Sequence, residues 1–461
     1  MTRTRKRPVY VLGAGFSRAI SEYMPLTDEL GDDLRRRLRL DWAEGDAMSF
    51  EERLTVLSTP LPFLPGYENT HRRAEAERIT AAIADVLDRR VGSATTGAPP
   101  SWLLQLVALW HVEQAIVLTF NYDTLVESAF GSLGVVRPNY DNGVSYELDG
   151  RQVVYPAPRS SGAGGWQDAA SPDETSFQLL KLHGSLSWYW SSGDGSTVVQ
   201  DSVLPVFEKK PRGSSSEVSG ISTLDRFLIP PVLSKDSYYN VNIAHMLWRT
   251  AHEAIANASH VTILDYSLPA GDRITAELLR RTPSGIPVDI VNREVGDATD
   301  LTSPLGRAAA LHLSVTGNWN GDDAVASYVK NRLLKRTTGI EEALVGSEDE
   351  AVIATVSLHE ARTDPGTFLL RSYEGKNDGV EVDTVAIGRS PNHPHIAAKD
   401  AVRAFSGEDD FYTLEKFRDV VRKSVFHVEL AGRRHIAIGA RRARMGQWKV
   451  IEVQLAPAED W

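Results

Sequence analysis

Apolar runs of strand length recur along the first 335 or so residues, at positions 8–12, 115–120, 177–182, 261–264, 288–291 and 308–315. Helix-like stretches at 241–258 and 273–281 separate several of them. Continuous apolar strands alternating with helices mark a parallel sheet covered on both faces. The expected fold is α/β: a doubly wound, Rossmann-like parallel sheet over residues 1–337.

Two regions exceed a minimal version of that domain. Residues 30–110 are helical in pattern, as over 74–87, and read as a helical insertion or lid. Residues 131–175 are rich in Gly, Ser, Pro and Asn and read as a loop-dominated excursion. After a helix-like stretch at 322–335 the composition changes. Strand-like runs at 352–358, 367–372 and 380–387 precede a helix-like 414–425, and runs at 435–439 and 448–455 close the chain. Residues 338–461 are therefore expected to form a small α+β domain with an assembly or regulatory role. Its runs at 352–358 and 448–455 are the expected edges or faces for another subunit.

Composition excludes several chemistries. The chain has no cysteine, which rules out disulfides, Cys-ligated zinc, iron–sulfur clusters and a cysteine nucleophile. No uncharged apolar run approaches the roughly 18 residues of a membrane span. The start, Met1 to Pro8, lacks a secretory pattern, so a cytoplasmic location is expected. The net charge of −11 is spread along the chain and gives no support to broad nucleic-acid coating. Direct nucleic-acid binding is not expected. The basic residues Arg433, Arg434, Arg441, Arg442, Arg444 and Lys449 read as a solvated strand face. His393 and His395 have no evident third ligand, so no metal site is expected.

Five strand ends carry polar residues. Gly13-Ala14-Gly15-Phe16-Ser17 follows the first strand, where glycines allow close approach to a pyrophosphate. A dehydrogenase fingerprint would need a third glycine at the position of Arg18, so a standard nicotinamide oxidoreductase is not supported. Asn121-Tyr122-Asp123 ends the second strand, with Asp123 also placed to cap the next helix. Lys181-Leu182-His183-Gly184-Ser185 puts an imidazole at a strand end, where it can act as a base near neutral pH. Asp265-Tyr266-Ser267 with Asp272, and then Asn292, end two more strands. Singly, each motif also reads as a turn, a cap or a loop residue that binds nothing. Trp188-Tyr189-Trp190 reads as core packing, with a nicotinamide-shielding role left open.

Taken in order, these motifs, with Met24-Pro25 after the first, resemble the sirtuin (silent information regulator) family over about residues 8–320. The resemblance implies that Gly13, Ala14, Gly15, Phe16 and Ser17 hold an NAD+ pyrophosphate. Asn121 and Asp123 would line the nicotinamide–ribose pocket, with His183 as catalytic base. Ser267 and Asn292 would meet the adenosine half, with Asp272 beside them. The chain departs from sirtuin deacylases in three places. It lacks their zinc-binding cysteines, it has Asp265 where a glycine usually precedes the serine motif, and no Phe-Arg pair follows Met24-Pro25.

Those departures match the sirtuin-like domains of prokaryotic antiphage systems. The resemblance therefore implies an NAD+ glycohydrolase giving nicotinamide and ADP-ribose, without a metal. It also implies a homo-oligomer, or a partner such as a HerA-type ATPase or a short Argonaute, that switches on a chain otherwise held inactive. A protein deacylase, a non-hydrolysing NAD+ or ADP-ribose sensor, and a nucleic-acid-binding accessory protein are the alternatives.

Overall fold

The computed structural model describes residues 6–42, 48–133, 136–138, 145–147, 150–155, 176–190, 198–201, 204, 207, 225–232, 239, 241–345, 351–357, 367–377, 380–389, 427–430, 433–445 and 448–457. In chain order, β1 (Arg7–Leu12) leads into α1 (Ala14–Ile20), and four helices follow: α2 (Thr27–Leu38), α3 (Phe50–Ser58), α4 (Gly66–Ala94) and α5 (Ser101–Glu113). Next come β2 (Ile116–Thr119), α6 (Leu125–Leu133), the short strands β3 (Val136–Pro138), β4 (Ser145–Glu147) and β5 (Val154–Tyr155), and β6 (Gln178–Lys181). Strands β7 (Gly184–Trp190), β8 (Val198–Gln200) and β9 (Asp225–Leu228) precede α7 (Asn242–Ala256), β10 (Ala258–Leu264) and α8 (Arg273–Leu279). Then β11 (Val288–Asn292), α9 (Pro304–Ala310), β12 (Val315–Asn320) and α10 (Ala324–Val345) follow.

The chain divides into two compact units. The first comprises Met1–Ala98, Glu113–Ser128 and Arg151–Val325. Its centre is a seven-stranded, wholly parallel sheet in the order β12-β11-β10-β1-β2-β6-β5. The chain leaves β1 toward β2 and β6, then returns to the other side of β1 at β10, which makes β1 the switch point of a doubly wound sheet. Val9 to Leu12 of β1 are at most 1% exposed, as the near-continuous apolar run requires. The antiparallel sheet β8-β7-β9 grows from the end of β6.

Register decides where the motifs fall. Leu12 pairs with both Thr119 and Leu264, Thr119 pairs with Lys181, and Leu264 pairs with Val291. The carboxyl ends of five strands therefore lie level. Each motif begins within two residues of that line.

One strand expectation is corrected. The run at 308–315 is not a strand. Ser303 Oγ accepts from Gly306 N at 3.1 Å and Pro304 opens the helix, so 304–310 wind as α9. The strand is β12, whose alternating half-buried and exposed residues hide it from an apolar count. Aromatic Trp188, Tyr189 and Trp190 pack on β7: Trp188 and Trp190 lie 6.3 and 5.1 Å from the Phe227 ring, and Arg226 covers Tyr189. Trp188 and Tyr189 are buried and Trp190 is half-buried, the packing expected of them.

The second unit comprises Pro99–Val112, Ala129–Gly150 and Ala326–Trp461. It holds β13 (Ala351–Ser357), β14 (Thr367–Asn377), β15 (Val380–Arg389), β16 (His427–Leu430), β17 (Arg433–Met445) and β18 (Trp448–Pro457). They form one sheet in the order β15-β14-β13-β18-β17-β16. The runs at 352–358 and 448–455 are thereby corrected as edges for another subunit. Strands β13 and β18 are central and pair with each other in parallel, while β15 and β16 are the outer strands. The expected helix at 414–425 and the pair His393 and His395 lie outside the described residues.

A buried ion pair anchors the strand-end line in the first unit. Lys181, the last residue of β6, is 1% exposed and reaches Glu127 Oε1 on α6 at 2.9 Å, where Glu127 is fully buried. The same ammonium donates to the Asp123 carbonyl. Burial pushes the Glu127 carboxyl above its usual range while Lys181 opposes it. Such pairs cost desolvation, but removing one partner strands the other. We expect Lys181→Met to lose about 3–5 kcal/mol in chemical denaturation. Lys181→Met with Glu127→Leu should recover most of it. A single variant as stable as the wild type would contradict this reading.

Candidate functional site

A cavity of about 840 Å³ opens beyond the carboxyl ends of β1, β2, β6, β10, β11 and β12. That is the place where open α/β sheets hold ligands, and the volume suits a large small molecule. Gly13, Ala14, Gly15, Ser17, Asn121, Asp123, His183, Ser267, Asp272 and Asn292 all line it. Phe16 does not: its side chain is 1% exposed and buried below the wall.

The first two motifs bond directly to each other. Asn121 Nδ2 donates to the Gly13 carbonyl and to Ser17 Oγ, both at 2.8 Å. Ser17 Oγ in turn donates to Asp123 Oδ2 at 2.6 Å. Asp123 Oδ1 accepts from Leu125 N at 3.1 Å, so Asp123 does cap α6 and also braces the site. Both amide protons of Asn121 are engaged, which leaves its carbonyl oxygen as the group to orient a ligand hydroxyl or a water. Asp123, 7% exposed, holds Ser17 and the loop in place.

The glycines have a reason that sequence reading did not supply. A Cβ on Gly13 would lie 2.4 Å from the Asp265 carbonyl oxygen, and one on Gly15 would lie 2.9 Å from Asp265 Cβ. The turn must be glycine because the β10 loop packs against it.

His183 occupies the junction between β6 and β7 and is 7% exposed at the cavity wall. Its carbonyl accepts from Ile229 N at 2.9 Å. The next residue, Gly184, has φ +86°, and a Cβ there would meet the Phe227 carbonyl at 2.1 Å, so the turn that presents the imidazole admits only glycine. The His183 ring lies 5.1 Å from Phe120, which in turn lies 4.9 Å from Tyr266. Trp248 of α7 stands 6.5 Å behind the imidazole. Phe120 and Tyr266 line the cavity on its apolar side. Sequence reading placed the aromatics on a strand end and a helix but did not single them out, since nothing in their spacing marks them off from core.

On the β10–β12 side, Tyr266 OH donates to Asp272 Oδ2 at 2.7 Å. Burial first, and Asp272 second, hold the Tyr266 hydroxyl well above its ordinary pKa, so it stays a donor. Arg307 Nη1 donates to the Ser267 and Leu268 carbonyls at 3.0 and 3.1 Å and fixes that loop. Asp265 takes φ +46°, a left-handed conformation that costs a non-glycine residue energy. Its Oδ1 accepts from Arg293 N at 3.3 Å. Burial raises its pKa from 3.8 to about 6, with the Arg293 amide opposing.

A smaller cavity of about 330 Å³ lies between α2 and α4, lined by Asp33, Arg37, Arg89 and Arg90 among others. Ion pairs of Arg90 with Asp33 and of Arg37 with Asp85 tie those helices together. None of the strand-end motifs reaches it. Among the described residues no group of three or more His, Asp or Glu is placed to hold a metal ion, and no helix is long and apolar enough to cross a membrane.

A carboxyl whose pKa is raised on folding favours the folded state at low pH. The benefit is complete below about pH 4 and is lost as pH rises through about 6. Asp265→Asn keeps an acceptor for Arg293 N and tolerates the left-handed backbone. At neutral pH and above it should be more stable than the wild type by about 1–3 kcal/mol. Thermal denaturation across pH should show that gain vanish toward pH 4; a gain independent of pH would contradict the assignment.

No protein-family model matches the chain, and no curated protein matches it. Among solved structures it is similar to the crystal structure of a Sir2 homolog–NAD complex, with 14% identity, 70% of this chain and 88% of that chain covered, and a TM-score of 0.34. It is also similar to Sir2Tm bound to a propionylated peptide, with 12% identity, 72% and 94% covered, and a TM-score of 0.33.

Proposed function

We propose that the cavity binds NAD+ and that the chain hydrolyses it to nicotinamide and ADP-ribose, as an antiphage effector that depletes NAD+. The observation that carries the reading is convergence. Motifs scattered over nearly 280 residues meet at one cavity at the switch point of the sheet. In this reading the turn from Gly13 to Ser17 takes the pyrophosphate, Ser267 and Asn292 take the adenosine half, and the nicotinamide ribose lies between Asn121 and His183.

The chemistry asks little of the protein. The pyridinium is already a good leaving group, so the chain must hold the dinucleotide, orient water and stabilise charge developing on the ribose. Asn121 offers its carbonyl oxygen to a ribose hydroxyl or to water, and His183 takes the proton released. The Phe120 and Tyr266 rings shield the nicotinamide. Asp123 acts through Ser17 and the loop. The chain is held inactive until the second unit, through self-association or a partner such as a HerA-type ATPase or a short Argonaute, switches it on in the cytoplasm.

Asn121→Ala and His183→Ala should each abolish release of nicotinamide and ADP-ribose, measured by chromatography, with the melting temperature near wild type. Turnover close to wild type in either variant would sink the assignment, and peptide deacylation without hydrolysis would point to the deacylase alternative. Specific activity should also change over a roughly thousandfold dilution, or on adding a partner, if assembly is the switch. A constant rate would contradict that part.

A further inference from the structure

Resting on the NAD+ reading, we propose that Asp265 is a specificity residue that admits NAD+ and rejects the same dinucleotide carrying a phosphate on its adenosine ribose. Three observations place it there. Its backbone packs against the Gly13–Gly15 turn, and its carboxyl reaches toward the β11 end through Arg293 N. It thus stands between the turn assigned to the pyrophosphate and Asn292, assigned to adenosine. It also lines the cavity itself.

The surroundings have the same sign. Along the β10–β12 side of the cavity, Asp265, Asp272, Glu294 and Asp322 face a single arginine, Arg293. That guanidinium is already engaged, with Nε 2.7 Å from Asp322 Oδ1. Arg18, on the far side, is bound to Glu29 at 3.0 Å. No uncommitted cation among the described lining residues remains to receive an added phosphate monoester, which brings about two further negative charges. Ribose hydroxyls, by contrast, are donors that a carboxylate accepts from well, the device by which many dinucleotide sites prefer the unphosphorylated form. The left-handed backbone supports the same conclusion. The chain keeps an aspartate at φ +46°, where glycine would sit without strain, and strain of this kind concentrates at functional positions.

The test is calorimetric binding of NAD+ and NADP+ to the full-length His183→Ala chain, which should not consume either ligand, with and without Asp265→Asn or Asp265→Gly. Binding should favour NAD+ by about tenfold or more, and both Asp265 substitutions should narrow the ratio by at least about threefold, chiefly by tightening NADP+. The glycine variant guards against an effect peculiar to the asparagine amide. Equal affinity for the two dinucleotides in the parent chain, or a ratio unchanged in both variants, would overturn the proposal. Binding of neither dinucleotide would overturn the NAD+ reading itself and this inference with it.

Discussion

The Lys181–Glu127 pair holds together the part of the molecule on which everything else at the site depends. Lys181 closes β6, Glu127 lies on α6, and the ammonium also grips the carbonyl of Asp123. One fully buried cation thus fixes the end of one strand, the start of one helix and the loop between β2 and α6. From Asp123 the constraint passes to Ser17, and from Ser17 to Asn121 and the Gly13 carbonyl. An apolar pair of similar volume would restore most of the stability. What it would not supply is a donor to the Asp123 carbonyl, so the pair is understood as positional.

Around that anchor the site carries costs that the sheet absorbs. Gly13 and Gly184 sit where any Cβ would strike backbone, and Asp265 occupies a conformation suited to glycine. Burial raises the pKa of its half-buried carboxyl to about 6. None of these features improves the core. They bring backbone and carboxyl close to one cavity, the pattern expected where stability yields to binding.

Much of this was legible in the sequence, for identifiable reasons. The runs that became β1, β2 and β10 are buried on both faces and therefore read as unbroken apolar segments. The edge strand β12 did not, because Thr316, Asn318 and Asn320 alternate along it and a capped helix with more apolar residues lies just upstream. The motif residues were recognisable by type and order, and level strand ends bring them together. Their bonding was not readable. Nothing in a Gly-x-Gly pattern distinguishes a turn kept bare for a ligand from one kept bare for the Asp265 loop. Nor does a strand-end lysine announce that it is buried, or an apolar run at 352–358 that it lies in the middle of a sheet.

The central claim is that the strand-end motifs form one NAD+ site. The most direct measurement is a crystal structure of the His183→Ala chain with NAD+ bound. The pyrophosphate should lie against the turn from Gly13 to Ser17, the nicotinamide ribose beside Asn121 Oδ1, and the adenosine ribose between Asp265 and Asn292. Clear density for the dinucleotide at any other place on the molecule, with this cavity empty, would contradict the claim.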